Sequence, residues 1–366
     1  MRQQKQEILE KVLEDLSSCG LDTHVDQIQH LADGGMSHIY RARQPSLDRY
    51  VVIKQLKRSF REDPELVNRF RREAKCLATV LHQNVAHVYG FVESTADMYI
   101  LMEYISGVDL SAVLKKIGPL PPEVAAAITL GLARGLHCLH AHQLIHRDVK
   151  PSNIRLTTRG EIKLMDLGIV LDVAESSLTR PGILMGSPSY LTPEQILGDT
   201  VTARSDVFQL GICLYEMLCG TRPFQDNGHQ TVFHRIREAE YTPLRKMNRS
   251  IPRALERIVD RCLQKNPESR FSDVQKVAQS LEVYLGPLAT AHTEDVILRF
   301  LDQEALATPT VPITHIQEMR PRPSRLKWIG VGILCLGSLL LGLFLSRFRK
   351  DAPTTPPHYS RPHDLR

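Results

Sequence analysis

From its sequence the chain is an α+β protein of two unequal lobes, followed by one apolar segment long enough to cross a membrane. Three observations carry this reading. Residues 25 to about 105 read as strands around one helix, forming a small β-rich N-lobe, and residues 106–287 are mostly helical in pattern, forming a larger C-lobe. Residues 328–345, "WIGVGILCLGSLLLGLFL", contain no charge at all.

Bulk composition sets the frame. With 366 residues, 42% hydrophobic and 24% charged, the chain is long enough and apolar enough for two packed lobes. The net charge of +5 is mild, and no long basic stretch lies in the globular region, which speaks against nucleic acid as a partner. The 7 cysteines are scattered without a C-x-x-C pair, the pattern of reduced intracellular thiols. Residues 1–24 form an N-terminal extension whose start, "MRQQKQEILEKVLEDL", has neither the apolar core nor the cleavage site of a secretory signal. Ile8, Val12, Leu13 and Leu16 recur there at helical spacing and predict a short amphipathic helix.

Within the N-lobe, "LADGGMSHIYRAR" at 31–43 reads as a phosphate-cradling loop between two strands. Further on, Asp63 is a good N-cap and Pro64 a good first helical residue, so a helix starts there. Phe70, Glu73 and Leu77 then share one face, which sets a carboxylate on the apolar side. A buried carboxylate needs a cation, and Lys54 on the preceding strand is the candidate.

The C-lobe carries the densest chemistry, "HRDVKPSN" at 146–153 followed by "IRLTTRGEIKLMDLG". Ile154 to Leu156 and Ile162 to Leu164 read as short strands joined by a turn at Gly160, so Asn153 and Asp166 sit at the two ends of one hairpin. Beside Asp148 they make a hard-oxygen site suited to Mg²⁺ carrying substrate phosphates, with Asp148 placed to accept a proton from an attacking hydroxyl.

On these residues the chain resembles the bacterial, eukaryotic-like, membrane-anchored Ser/Thr protein kinases. The resemblance runs from about Val25 to Leu285 through "VVIK", "DPELVNRFRREAKCLATV", "MEYISG", "HRDVKPSN", "DLG", "GSPSYLTPE", "SDVFQLG" and "NPESRF", all in the family's order. It implies a bilobal protein-kinase fold over 25–287 that uses ATP and Mg²⁺ to phosphorylate Ser/Thr hydroxyls of proteins, the chain itself included. Asp148, Lys150, Lys54 and Glu73 take the catalytic roles, and Asn153 and Asp166 the metal. Leu31, Ala32, Gly34, Gly35, Ile39, Val52, Met102, Glu103, Ile105, Asp109 and Arg155 join them around the nucleotide, with Met102 gating the adenine pocket, the Glu103 and Ile105 backbones binding adenine, and Asp109 meeting the ribose. Leu77, Val88, His146 and Leu167 would stack as one packed column, Glu194 would pair with Arg270, and Asp206 would anchor the catalytic loop. Thr179, then Ser176 and Ser177, are the phosphosite candidates, which would face Arg147.

The chain departs from the family at four places. Ala32 and Ser37 replace the first and third glycines of the phosphate loop, Val52 stands where an alanine is usual, and Arg155 stands on the apolar floor of the adenine pocket. Arg155 either stacks under adenine or snorkels out of the cleft. These changes weaken nucleotide binding in the alternative reading, a pseudokinase scaffold. No group that moves charge is missing, so the enzyme reading leads.

Residues 288–327 read as a juxtamembrane linker, 328–345 as a single-pass span and 346–366 as a short extracytoplasmic tail. Eighteen helical residues reach about 27 Å, close to the ~30 Å hydrocarbon thickness. Trp328 and the flanking Arg325, Lys327, Arg347, Arg349 and Lys350 suit the two interfaces. Kinase chemistry would place 25–287 in the cytoplasm at the cell membrane, and Ser338 and Gly342 would let two spans approach as a homodimer.

Overall fold

The computed structural model describes residues 25–34, 36–94, 97–166, 188–291 and 293–306, together with Leu9, Val12, Leu13 and Leu16; the side chains of 65, 69, 73, 290 and 291 lie outside the description. The expected span at 328–345, its tail, and Thr179, Ser176, Ser177, Leu167 and Gly35 also lie outside the described residues.

Five strands build the N-lobe: β1 (Asp26–Asp33), β2 (Ser37–Gln44), β3 (Arg49–Leu56), β4 (Val88–Glu93) and β5 (Met98–Glu103), antiparallel in the order β1-β2-β3-β5-β4. Helix α1 (Pro64–Leu77) follows β3, and the Asp63 carboxylate accepts the Leu66 N–H at 3.3 Å, the cap that starts it. The pleat sends alternate residues to opposite faces. One face, with Val88, Met98 and Ile100, packs on Phe70, Ala74 and Leu77 of α1. The other carries Val51, Ile53, Tyr99 and Leu101 of β3 and β5, and Leu9, Val12, Leu13 and Leu16 cover it in helical conformation. Val12 and Leu16 are buried there, so the amphipathic pattern of the extension is a sheet-covering one; Ile8 lies outside the described residues.

In the C-lobe, β6 (Gly107–Asp109) leads into α2 (Leu110–Ile117) and the long α3 (Pro122–Ala141), and the hairpin β7 (Ile154–Thr157) and β8 (Ile162–Leu164) joins β6 in a three-stranded sheet. Then come α4 (Pro193–Leu197), α5 (Ala203–Cys219), α6 (Val232–Glu238), α7 (Leu244–Met247), α8 (Arg253–Cys262) and α9 (Val274–Leu285). Helices α3 and α5 are apolar nearly all round because they form the centre of this lobe. Among the described residues α3 is the helix long and apolar enough to cross a membrane, and its place is the core. Glu194 meets Arg270 through two hydrogen bonds of 2.8 and 2.9 Å, with both side chains almost wholly buried. Burial works against this carboxylate, yet Arg270 and Ser205 hold its pKa below the ordinary range.

The expected boundary at 287 is corrected by the structure. Beyond it lie α10 (Leu288–Ala291) and α11 (Thr293–Gln303), and Ile297, Phe300 and Leu301 of α11 are buried in the same core as α3. These three stand at i, i+3 and i+4, an amphipathic stripe that a linker does not need. Gly160, in the β7–β8 turn at φ +77°, lies so close beneath α11 that a Cβ would sit 2.3 Å from the Glu294 carbonyl oxygen. Gly160→Ala is expected to destabilise the fold by about 1–3 kcal/mol through left-handed strain, with further loss from the clash. Amide exchange should quicken in residues 293–303; unchanged protection there would contradict the docking.

Candidate active site

Strand pairing brings the chemistry together. In the β7–β8 ladder Ile154 faces Leu164, and the Met165 N–H donates to the Asn153 carbonyl at 2.8 Å, so the residues before β7 and after β8 lie side by side. Asp166 has φ +45° and Arg147 φ +67°, left-handed conformations that a side chain resists and that persist where the surroundings over-determine them. For Arg147 those surroundings are on view. Asp206 on α5 accepts the N–H of His146 at 2.9 Å and of Arg147 at 2.8 Å, while the Arg147 carbonyl accepts from Gln209 at 2.8 Å and Gln195 at 3.2 Å. Gln209 also accepts the Val149 N–H at 2.9 Å. The loop backbone is thus held from below by α4 and α5.

His146 is fully buried, and burial pushes its pKa down, which keeps the imidazole neutral at pH 7. Its Nε2 lies 3.1 Å from the Met165 carbonyl, which can only accept, so Nε2 carries the proton and Nδ1 accepts the Asp148 N–H at 3.3 Å. The ring therefore ties the catalytic loop to the segment carrying Asp166. The Asp148 carboxylate meets Asn153 Nδ2 at 2.9 Å and Lys150 Nζ at 2.6 Å, both on Oδ2, and Asn153 Nδ2 also reaches the Asp148 carbonyl at 2.9 Å. Across the cleft Lys54 Nζ stands 3.0 Å from Asp166 Oδ1. That ammonium holds the Asp166 pKa below the ordinary carboxylate range despite burial, so this carboxylate stays ionised at neutral pH. Glu73 lies on α1, but its side chain is outside the described residues, and its expected pairing with Lys54 is outside them too.

A cavity of about 440 Å³ opens beside this pair. Leu31, Ala32, Ile39, Val52, Lys54, Met102, Glu103, Ile105, Asp109, Arg155 and Asp166 line it; Gly34 and Asn153 do not. Gly34 instead closes a turn through its N–H to the Ser37 carbonyl at 2.8 Å, and its own carbonyl accepts from Lys57. Sequence reasoning missed Ala86, Tyr104, Val108, Ala112, Ser152 and Met165 of the lining. Several of these are small residues whose signal is only the lack of bulk. Behind Met102 a pocket of about 20 Å³ is bounded by Leu77 and Val88; both are buried, as is His146, while Leu167, the fourth member of the expected column, lies outside the described residues.

Arg155 and Asp109, both in the lining, are partners of each other. The β6–β7 register sets them directly opposite each other, and Arg155 Nη1 donates to Asp109 Oδ1 at 2.9 Å while Nη2 donates to the Gly107 carbonyl at 3.0 Å. The Arg155 guanidinium is thus held between Asp109 and the Gly107 carbonyl at the wall of the cavity. Both side chains are partly exposed, so the pair itself contributes less than about 1 kcal/mol.

A charged cleft of this kind, with an apolar cavity beside it at the boundary of a sheet lobe and a helical lobe, is the arrangement of the two-lobed nucleotide phosphotransferases. More particularly, the chain belongs to the protein kinase domain family, whose model matches residues 25–281. It is 38% identical over 263 residues to the serine/threonine-protein kinase PknB of Mycobacterium leprae, covering 70% of this chain and 42% of that one. It is 33% identical over 292 residues to PrkC of Bacillus subtilis, covering 79% and 44%. The solved kinase domain of PknI from Mycobacterium tuberculosis superposes with a TM-score of 0.56 at 25% identity, covering 70% of this chain and 94% of that domain. The chain spans about two fifths of the length of the curated relatives it matches.

Arg155→Met should tighten ADP binding several-fold, because it removes a cation from an apolar floor and releases Asp109. Calorimetric titration of the parent and variant checks this, and weaker binding by the variant would show that the guanidinium itself holds the nucleotide.

Proposed function

We propose that the chain is a Ser/Thr protein kinase that transfers the ATP γ-phosphoryl group to protein hydroxyls. The observation that carries this is the meeting of Lys54 and Asp166 at 3.0 Å beside the cavity, with Asp148, Lys150 and Asn153 held together below. The donor set fits Mg²⁺: Asp166 is ionised, and Asn153 turns its amide nitrogen toward Asp148, which leaves the amide oxygen as the end presented to a cation. When bound, Mg²⁺ would neutralise phosphate charge at Asp166 and Asn153. The chain's own groups do the remainder. Lys54 pairs with the α- and β-phosphates, and Lys150 offers its charge to the transferring group. Asp148 orients the protein hydroxyl and takes its proton as the new O–P bond forms and the bond to the β-phosphate oxygen breaks, releasing ADP. A pseudokinase scaffold is disfavoured because every one of these groups is present.

Resemblance supports Ser/Thr over Tyr through Lys150 and Pro151, and the apolar run at 328–345 supports a single-pass tether at the cell membrane with the kinase lobes in the cytoplasm. The test uses the full-length chain with radiolabelled ATP, Mg²⁺ and a generic protein substrate. The parent should incorporate label on serine and threonine, and Lys54→Met and Asp148→Asn should lower the rate by about 10²–10⁴-fold. Asp148→Asn should leave ADP affinity near the parental value. Labelling by Asp148→Asn at the parental rate would defeat the assignment. Expressed in cells, the chain should stay in the membrane pellet through an alkaline carbonate wash, whereas a chain with residues 328–345 deleted should be released; equal release of both would remove the tether.

A further inference from the structure

Outside the cleft, a cluster of metal-ligating side chains lies on the outer side of the phosphate loop. His30 and Asp33 are three residues apart, which in a regular strand would send them to opposite faces. The β1–β2 ladder shifts register between His30 and Ala32, and this bulge turns both to the same side. Across the ladder Asp33 pairs with His38 and His30 with Tyr40, and His38 and Tyr40 share a face as residues i and i+2. The result is a two-histidine, one-carboxylate cluster: His30 Nε2 lies 3.1 Å and His38 Nδ1 2.5 Å from Asp33 Oδ1, and one ligand atom from each residue lies within 4.8 Å of the others.

We propose that His30, Asp33 and His38 bind one divalent transition-metal ion, Zn²⁺ by the chemistry of the donors, on the outer face of the phosphate loop. Two imidazoles and a carboxylate suit zinc and not the hard-oxygen preference of Mg²⁺. The dimensions agree. Ligands at ~2.0–2.1 Å from a tetrahedral zinc stand about 3.3 Å apart, so the 3.1 Å edge needs almost no change and the 2.5 Å edge opens by about 0.8 Å. The rings are already oriented. Tyr40, itself buried, packs its ring on both imidazoles at centroid distances of 5.6 and 6.5 Å, and its hydroxyl is fixed by Gln55 at 3.0 Å. Asp33 is more than half exposed, which leaves the fourth position open to water.

The bound ion would tie β1 to β2 at the base of a loop that has lost two of the glycines expected there. It would thereby restrict the phosphate loop from outside, without touching the Mg²⁺ donors in the cleft. The existence of the site does not depend on phosphotransfer; only its effect on nucleotide rests on that reading.

The full-length chain, stripped with chelator and kept in excess Mg²⁺ to occupy hard-oxygen sites, is dialysed against Zn²⁺ and its metal content measured. The parent should take up one equivalent more than Asp33→Asn or His38→Gln, both of which preserve side-chain size and hydrogen bonding. With Co²⁺ that extra equivalent should show visible d–d bands of a nitrogen–oxygen site and no thiolate charge-transfer band. Zn²⁺ should also shift the ADP dissociation constant at least two-fold in the parent and not in the variants. Equal metal uptake by parent and variants, a thiolate spectrum for the extra ion, or the same zinc effect on ADP in all three proteins would each overturn the proposal. Variants and parent should melt together without zinc, and a His30→Ala protein supplies a second, surface-level deletion of the site.

Discussion

The bridge between Lys54 and Asp166 joins residues 112 positions apart, one on the central strand of the upper sheet and one just beyond the last strand of the lower lobe. Charges this close in a partly dry cleft cannot be separated cheaply, and each would be costly without the other. The rest of the machinery serves to place the two ends. β3 is central in its sheet and cannot move without β2 and β5. Asp166 sits in a left-handed conformation held through Met165 by both Asn153 and His146. His146 in turn belongs to a loop whose backbone is hydrogen-bonded to Asp206 and Gln209 on a helix at the centre of the C-lobe.

This hierarchy explains what could be read from the chain. The start of α1 was legible because Asp63 and Pro64 encode it locally, and the β7–β8 hairpin because its turn and its strands are contiguous. The same contiguity made the proximity of Asn153 and Asp166 a matter of strand pairing. Arg155 was legible as an anomaly but its partner was not, since Asp109 lies 46 residues away and only the register of β6 against β7 puts them opposite. The cluster at His30, Asp33 and His38 was invisible for a related reason: a regular strand separates His30 from Asp33, and a single bulge reunites them. The packing of α11 had a signal in the spacing of Ile297, Phe300 and Leu301, but proline-bearing polar sequence just beyond it drew the boundary too early.

The N-lobe is covered on both faces, by α1 inside and by the residues of the N-terminal extension outside. A sheet so sandwiched is stiffer than one open to water on one side, which suits a scaffold that must hold Lys54 to within a fraction of an ångström. The phosphate loop, by contrast, is short of glycines, and Gly34 spends its backbone groups on Ser37 and Lys57.

The most direct measurement is a double-mutant cycle on binding of the magnesium nucleotide, using Lys54→Met, Asp166→Asn and the double variant. If the two charges act as one unit, each single change removes most of the binding and the second adds little, leaving a coupling of roughly 1–3 kcal/mol. Losses that simply add would mean that the two residues serve the nucleotide independently, and the account built on their meeting in the cleft would be wrong.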